Sequence, residues 1–298
     1  RVHNTVLKLY SKERYMNNRT SSEFDVYNNQ LYLSYSNDKL MIYDLYNGQK
    51  DSIQLSPKRA NQLHVKIDKK NERLWVSGRG ELIYKEGNKW IDFDLKKVNP
   101  NHFKEIIYLN GKANNKDISI LGHTKKKVFM VKDTTLQYVS EPFPAVVRSV
   151  QEKGDTLWVC TDEGMFLDTQ KGKIIDLKKE FPEFGLVSRH FEFFNNQVWF
   201  SSLNKGVFYF DGKEVINVFD DATDKQFGIV KRNEKELWIM NSYRSKVFLK
   251  DSTANHRSGT KMEAYSPVPY RQIVYYKTDS NNLYTFNTRS GIASVEWG

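Results

Sequence analysis

The sequence holds a single cysteine, Cys160, so no intramolecular disulfide can form and no zinc site built on paired cysteines is available. Proline and glycine are sparse, 7 and 16 in 298 residues, which excludes collagen-like and low-complexity chains. No apolar run approaches the ~18 residues a membrane helix requires, so direct insertion of this segment into a bilayer is not expected. No signal peptide is visible. The chain begins at Arg1 without Met and is read as a piece trimmed from a longer protein. A dense basic block of the kind that makes a nucleic-acid tail is also missing. The longest run, Lys125-Lys126-Lys127, falls in a predicted turn, and nucleic acid is not an expected partner.

Chemistry is equally scarce. There is no Gly-x-Ser-x-Gly elbow, no Walker loop and no dinucleotide fingerprint. The six histidines, His3, His64, His102, His123, His190 and His256, are scattered with no pair at metal-ligand spacing, and read as structural or surface groups. The stretch Asp220-Asp221-Ala222-Thr223-Asp224 lacks the glycine and distal Glu of a calcium loop and reads as a solvated turn. No catalytic residue, metal or cofactor is expected.

Aromatics, by contrast, are plentiful: 18 Phe, 17 Tyr and 6 Trp, side chains suited to half-buried pleated surfaces. Lys and Arg outnumber the acids 46 to 36, a net charge of +10. That balance suits an acidic polysaccharide or another anionic surface, and equally a set of solvated lysines at strand ends.

The arrangement of the aromatics is the informative feature. Leu74-Trp75-Val76, Leu157-Trp158-Val159, Val198-Trp199-Phe200 and Leu237-Trp238-Ile239 share one signature. With Tyr32, Ile118 and Tyr284 they form seven anchors spaced 43, 43, 40, 41, 39 and 46 residues apart. Within each period, short strands alternate at two and are broken by turn residues such as Asn195-Asn196 and Asp211-Gly212. Four short antiparallel strands every ~40–45 residues is the signature of a propeller blade. The expectation is an all-β chain forming a single seven-bladed β-propeller of four-stranded antiparallel blades. The blades fall at about 23–56, 61–96, 103–141, 146–180, 187–220, 225–267 and 271–298. The seventh shows only three strands, so Thr5–Tyr10 is expected to supply its fourth, with residues 4–10 closing the ring and removing an open edge. The irregular stretch Asp251–Pro267 reads as a loop insertion in the sixth blade. Most of Trp75, Trp158, Trp199 and Trp238 are expected to pack between neighbouring blades as core.

The unit Val147–Met165 resembles the two-component regulator propeller repeat, which runs from an inner strand through a polar turn into Leu-Trp-x-Gly-Thr-x-x-Gly-Leu. Leu157, Trp158, Thr161 and Gly164 match; Cys160 stands for the small glycine and Met165 for the final leucine. The second, fifth and sixth units keep the Trp strand, and the remaining units match by spacing. The resemblance implies the periplasmic, ligand-sensing half of a hybrid sensor kinase, such as those of Bacteroidetes. It also implies a location outside the cytoplasm on a larger, membrane-anchored protein, with a cytoplasmic location as the alternative.

The expected function is non-catalytic recognition of a ligand, with an anionic carbohydrate as the candidate. The alternatives are a protein-interaction scaffold, including a homodimer, and a propeller carbohydrate-active enzyme. The sialidase box Ser-x-Asp-x-Gly-x-x-Trp is absent, which weighs against the last. In propellers the loops entering the inner strands surround the mouth of the channel. Arg148 and Arg189 each lie ten residues before their Trp, while Lys104 and Arg271 begin the inner strands of the third and seventh units. Arg59, Asn61, His102 and Gln226 fall in or beside equivalent loops. These eight residues are the candidate ligand site, their cations suited to a carboxylated or sulfated group. The competing reading pairs the arginines with acids such as Asp25, Glu105 or Glu192, as ties between blades.

Overall fold

The computed structural model of the chain describes most of residues 24–54, 64–95 and 107–219, together with strands between 228 and 296. Its regular structure there is β-strand, with short 3-10 turns such as Leu177–Lys179 and Pro182–Leu186. The strands form separate antiparallel meanders, each hydrogen-bonded in chain order. The expected closing strand Thr5–Tyr10 and the insertion Asp251–Pro267 lie outside the described residues.

The chain divides into two compact units, one Glu13–Asp176 and the other including Leu177–Gly298. In the first, one sheet comprises β1 (Phe24–Tyr27), β2 (Gln30–Tyr35), β3 (Lys39–Asp44) and β4 (Lys50–Gln54). A second comprises β5 (His64–Asp68), β6 (Arg73–Gly78), β7 (Glu81–Glu86) and β8 (Lys89–Asp92). The third holds β9 (Ile120–His123), β10 (Val128–Lys132) and β11 (Thr135–Tyr138). The fourth holds β12 (Val147–Lys153), β13 (Thr156–Thr161), β14 (Gly164–Asp168) and β15 (Ile174–Asp176).

In the second unit, one sheet contains β16 (Val187–Phe194), β17 (Gln197–Ser202), β18 (Gly206–Phe210) and β19 (Val215–Phe219). Another contains β20 (Gly228–Lys231), β21 (Glu236–Met240) and β22 (Ser245–Leu249). The last contains β23 (Val274–Asp279), β24 (Asn282–Asn287) and β25 (Gly291–Glu296).

Turn chemistry sets the hairpins. Asn28-Asn29 and Asn195-Asn196 adopt φ of 48° and 57°, and of 54° and 59°. Two left-handed central residues give the turn whose twist matches the flanking strands, and asparagine tolerates them. The register follows, with Tyr27 opposite Gln30 and Phe194 opposite Gln197.

The third sheet departs from the expected pattern. The anchor spacing places a strand at Ile118, but β9 begins at Ile120. Residues ahead of it are held in a turn, where Asp117 N donates to Asn115 Oδ1 (2.9 Å) and Ile118 N to Asn115 O (3.1 Å). Ile118 is nevertheless buried in the core beside Leu121, Val150 and Val159. The inner rung of this sheet is the short segment Ile107–Leu109. Tyr108 exchanges backbone hydrogen bonds with His123 at 2.8 and 3.0 Å. Four residues on, Lys112 pairs in parallel with β12, accepting from Glu152 N and donating to Val150 O. One stretch of chain therefore ties the third sheet to the fourth.

Buried polar groups make further ties. The Asp25 carboxylate in β1 accepts from Ile67 N in β5 (2.8 Å), and Glu152 in β12 accepts from Asn115 N (2.8 Å). Asp25 thus bridges neighbouring sheets through backbone.

The aromatic anchors divide. Trp75 is fully buried against Ile107, Leu109 and Ile120 of the third sheet, and Trp199 packs with Ile229, Leu237 and Ile239 of the sheet that follows its own. Trp158 is only half-buried: Leu157 and Val159 face the core with Val128 and Met130, and alternation turns Trp158 to the other face of β13. Trp238 lies on β21, in the same strand position.

Candidate functional site

Of the eight candidate residues, Arg59, Asn61, His102, Lys104, Gln226 and Arg271 lie outside the described residues. Arg148 and Arg189 lie on the first strands of their sheets, β12 and β16, and share a local irregularity. Val147 faces Thr161 while Ser149 faces Cys160, so Arg148 is the extra residue of a bulge. Register also shifts between Val187 and Phe191, the stretch that carries Arg189. A bulge re-aims a side chain out of the ladder, as it does at Arg148.

The turn from β13 to β14 brings Asp162 beside that bulge. Arg148 Nε and Nη2 donate to the two Asp162 carboxylate oxygens at 2.5 and 2.6 Å, a bidentate fork-to-fork pair. The hydrogen bonds to Asp162, opposed by partial burial, raise the Arg148 pKa above its ordinary value. The partner is therefore Asp162, rather than Asp25 or Glu192, because the β12–β13 register places the end of β13 next to Arg148. Asn110 Nδ2 donates to Arg148 O (2.9 Å) and fixes the bulge from the neighbouring inner segment.

Next to this pair lies an aromatic stack that sequence reasoning did not assemble. His64, at the start of β5, and His123, at the end of β9, flank the Tyr108 ring at centroid distances of 4.7 and 4.8 Å. Both imidazoles are buried, and Tyr108 is half-buried within electrostatic reach of Arg148. His123 Nδ1 lies 2.7 Å from Thr124 O. The histidines are 59 residues apart in sequence, so only their shared place at that end of the first-unit strands could have signalled the stack.

The β9–β10 turn completes the rim. Val147 N donates to Lys125 O (2.8 Å), Phe143 N to Lys126 O (2.7 Å) and Thr124 N to Lys127 O (2.8 Å). The Lys125 and Lys126 side chains are exposed, while Lys127 lies over the Tyr138 ring.

At the other end of β5 is a cleft of about 360 Å³ lined by Lys70, Asn71, Asp117, Ser119, Lys132 and Asp133. Its charges answer one another: Lys70 faces Asp117 at 3.8 Å, and nearby Arg73 holds Asp133 and Glu86 at 2.8 and 2.7 Å. Among the described residues, no three His, Cys, Asp or Glu side chains gather as a metal site would require, and no helix is long and apolar enough to cross a membrane.

Comparison with solved structures identifies the architecture. The chain is similar to virginiamycin B lyase from Staphylococcus aureus, at 10% identity over 93% of this chain and 94% of that one, with a TM-score of 0.65. It is also similar to the extracellular domain of the putative hybrid two-component system BT4673 from B. thetaiotaomicron, at 12% identity over 98% of this chain and 40% of that one, TM-score 0.64. YCF48 bound to D1 peptide matches at 12% identity over 94% of both chains, TM-score 0.61. These neighbours are β-propeller proteins. The fold is a β-propeller. At these identities the likeness carries fold alone. No protein-family profile matches the chain, and no curated protein matches it.

Proposed function

We propose that this propeller is a non-catalytic recognition domain, the extracytoplasmic sensor part of a signalling protein, that binds an anionic carbohydrate at the rim carrying Arg148. One observation carries this reading: Arg148 is lifted out of the β12 ladder by a bulge and already grips a carboxylate through two hydrogen bonds. A guanidinium held that way suits a carboxylated or sulfated sugar. The propeller of a hybrid two-component system among the structural neighbours supports the sensor setting. The register shift in the stretch that carries Arg189 supports a second position there, and Arg59, Asn61, His102, Lys104, Gln226 and Arg271 complete the proposed set.

A double Arg148→Ala, Arg189→Ala variant is expected to fold and to lose salt-sensitive binding of acidic glycans, measured by titration calorimetry at two ionic strengths. Unchanged binding by the double variant overturns the reading.

A second reading is a protein-interaction scaffold, favoured by the similarity to YCF48, a propeller with a bound peptide. Pull-down with the double variant separates the two, because a scaffold that uses another face keeps its partner.

We also read the seven described sheets as the seven blades of the proposed propeller, with Thr5–Tyr10 as the outer strand beside β25. Removing residues 1–12 is then expected to lower the melting temperature, since it uncovers a strand edge. A truncated chain that melts with the parent removes that strand from the blade.

A further inference from the structure

The Arg148–Asp162 pair has the geometry of a filled binding site whose occupant belongs to the chain itself. Asp162 sits on the exposed β13–β14 turn, and its side chain is 45% exposed against 34% for Arg148. The turn does not depend on the carboxylate. Asp162 N donates to Val146 O, and Thr161 Oγ1 closes the turn by donating to Gly164 O and accepting from Glu163 N. The planar, bidentate contact is the one a ligand carboxylate would make.

The surroundings favour more negative charge than Asp162 brings. Lys125 and Lys126 project from a turn whose carbonyls are locked to Val147 N and Phe143 N, ahead of Arg148, with exposed Lys126 Nζ donating to Pro144 O at 3.3 Å. Glu163, the next residue on the turn, adds an opposing charge. Several backbone donors at this rim are engaged: Thr124 N by Lys127, Lys127 N by Thr124 Oγ1, Phe143 N and Val147 N by the lysine carbonyls, and Asp162 N by Val146. A peptide adding as a strand has no ladder to join there. Recognition must run through side-chain charge, which suits a polymer bearing a carboxylate on each sugar.

We propose that Asp162 is an internal stand-in for the ligand: a carboxylate of a uronate-containing glycan displaces it from Arg148, and Lys125 and Lys126 meet the neighbouring uronates. The contact is thus autoinhibitory, and binding is an exchange of one carboxylate for another. This rests on the anion-binding reading above and adds to it a direction that a structural tie between strands does not share.

The test is titration of oligogalacturonate into the full chain, the Asp162→Asn and Asp162→Ala variants, Arg148→Ala, and a Lys125→Ala, Lys126→Ala double variant, with thermal unfolding of each. Removing the Asp162 charge should tighten binding by roughly two- to fivefold, the scale of a half-exposed ion pair. Arg148→Ala should weaken binding by about tenfold or more, as loss of a bidentate charged contact does. The lysine variant should bind more weakly and with a shallower salt dependence. Unchanged or weaker binding in both Asp162 variants, with folding intact, overturns the exchange while leaving the anion-binding reading standing. A parent chain that binds no oligogalacturonate overturns the glycan assignment itself; if poly-glutamate binds in its place, the partner is an acidic peptide.

Discussion

Replacing Trp75 by alanine is expected to cost roughly 3–5 kcal/mol of folding stability, the range for a large buried aromatic that leaves a cavity. Its indole is fully buried, tilted against Tyr84 at 4.7 Å and Phe93 at 6.0 Å, and it fills the space between the second and third sheets. Trp199 is built the same way, directly opposite Tyr209 in register with the rings 5.1 Å apart, and should cost a similar amount. Trp158 supplies the comparison. Its register partner is Leu167 rather than a tyrosine, and it is half-buried. Alanine there should cost distinctly less than at Trp75 or Trp199. Urea unfolding of the three variants measures the order. Equal losses would mean that half-burial of Trp158 misstates its packing, and a small loss at Trp75 would remove the inter-sheet core from the account.

The second large effect concerns two glycines that let backbones approach across the third sheet. A Cβ on Gly122 would lie 2.6 Å from Tyr108 O and 2.4 Å from Phe129 Cζ; one on Gly111 would lie 2.3 Å from Leu121 O. Phe129 is itself fully packed, and Tyr108 O already accepts from His123 N, so neither neighbour can retreat without breaking something. Gly122→Ala is expected to destabilise at or above the upper end of the ~1–3 kcal/mol typical of overpacking. It should also release Ile107–Leu109 from β9. Amide hydrogen exchange at His123, whose N–H donates to Tyr108 O, reports that release. Gly154→Ala is the control, since nothing lies within 4 Å of its Cβ position and only its φ of 59° is unfavourable. A Gly122→Ala chain as stable as the control contradicts the close approach.

Much of this architecture was legible because it rests on local signals. Asn195-Asn196 announced its hairpin, and the anchors Tyr32, Trp75, Trp158, Trp199, Trp238 and Tyr284 all fall on the second strand of a sheet. The third sheet was misplaced because Asn115 takes Asp117 N on its side chain and Ile118 N on its carbonyl and holds both residues in a turn, a local competition that apolar alternation does not register. Its inner rung is three residues long, and the pairing with the fourth sheet is a single bridge at Lys112, too little for a periodicity to mark. Trp158 carried the same motif as its counterparts, but burial depends on the facing surface, which the strand's own sequence does not contain.

At the site, position was readable and partnership was not. Arg148 and Arg189 were singled out from their offset to the Trp strand, and both fall where their ladders lose register. That Arg148 meets Asp162 follows from the bulge and the turn together, and one inserted residue decides it. The stack of His64, Tyr108 and His123 comes from three elements far apart in the chain, and no spacing rule joins them.

The most direct test of the central claim watches the Arg148 guanidinium itself. In a spectrum that resolves arginine Nε–H signals, oligogalacturonate is added to the full chain and the signals of Arg148 and Arg73 are followed. Arg73 is the internal reference, because it is held between Glu86 and Asp133 away from the proposed rim. The account predicts that the Arg148 signal shifts progressively to saturation as the glycan takes the place of Asp162, while Arg73 stays where it was. A glycan that binds while the Arg148 signal remains fixed would contradict it.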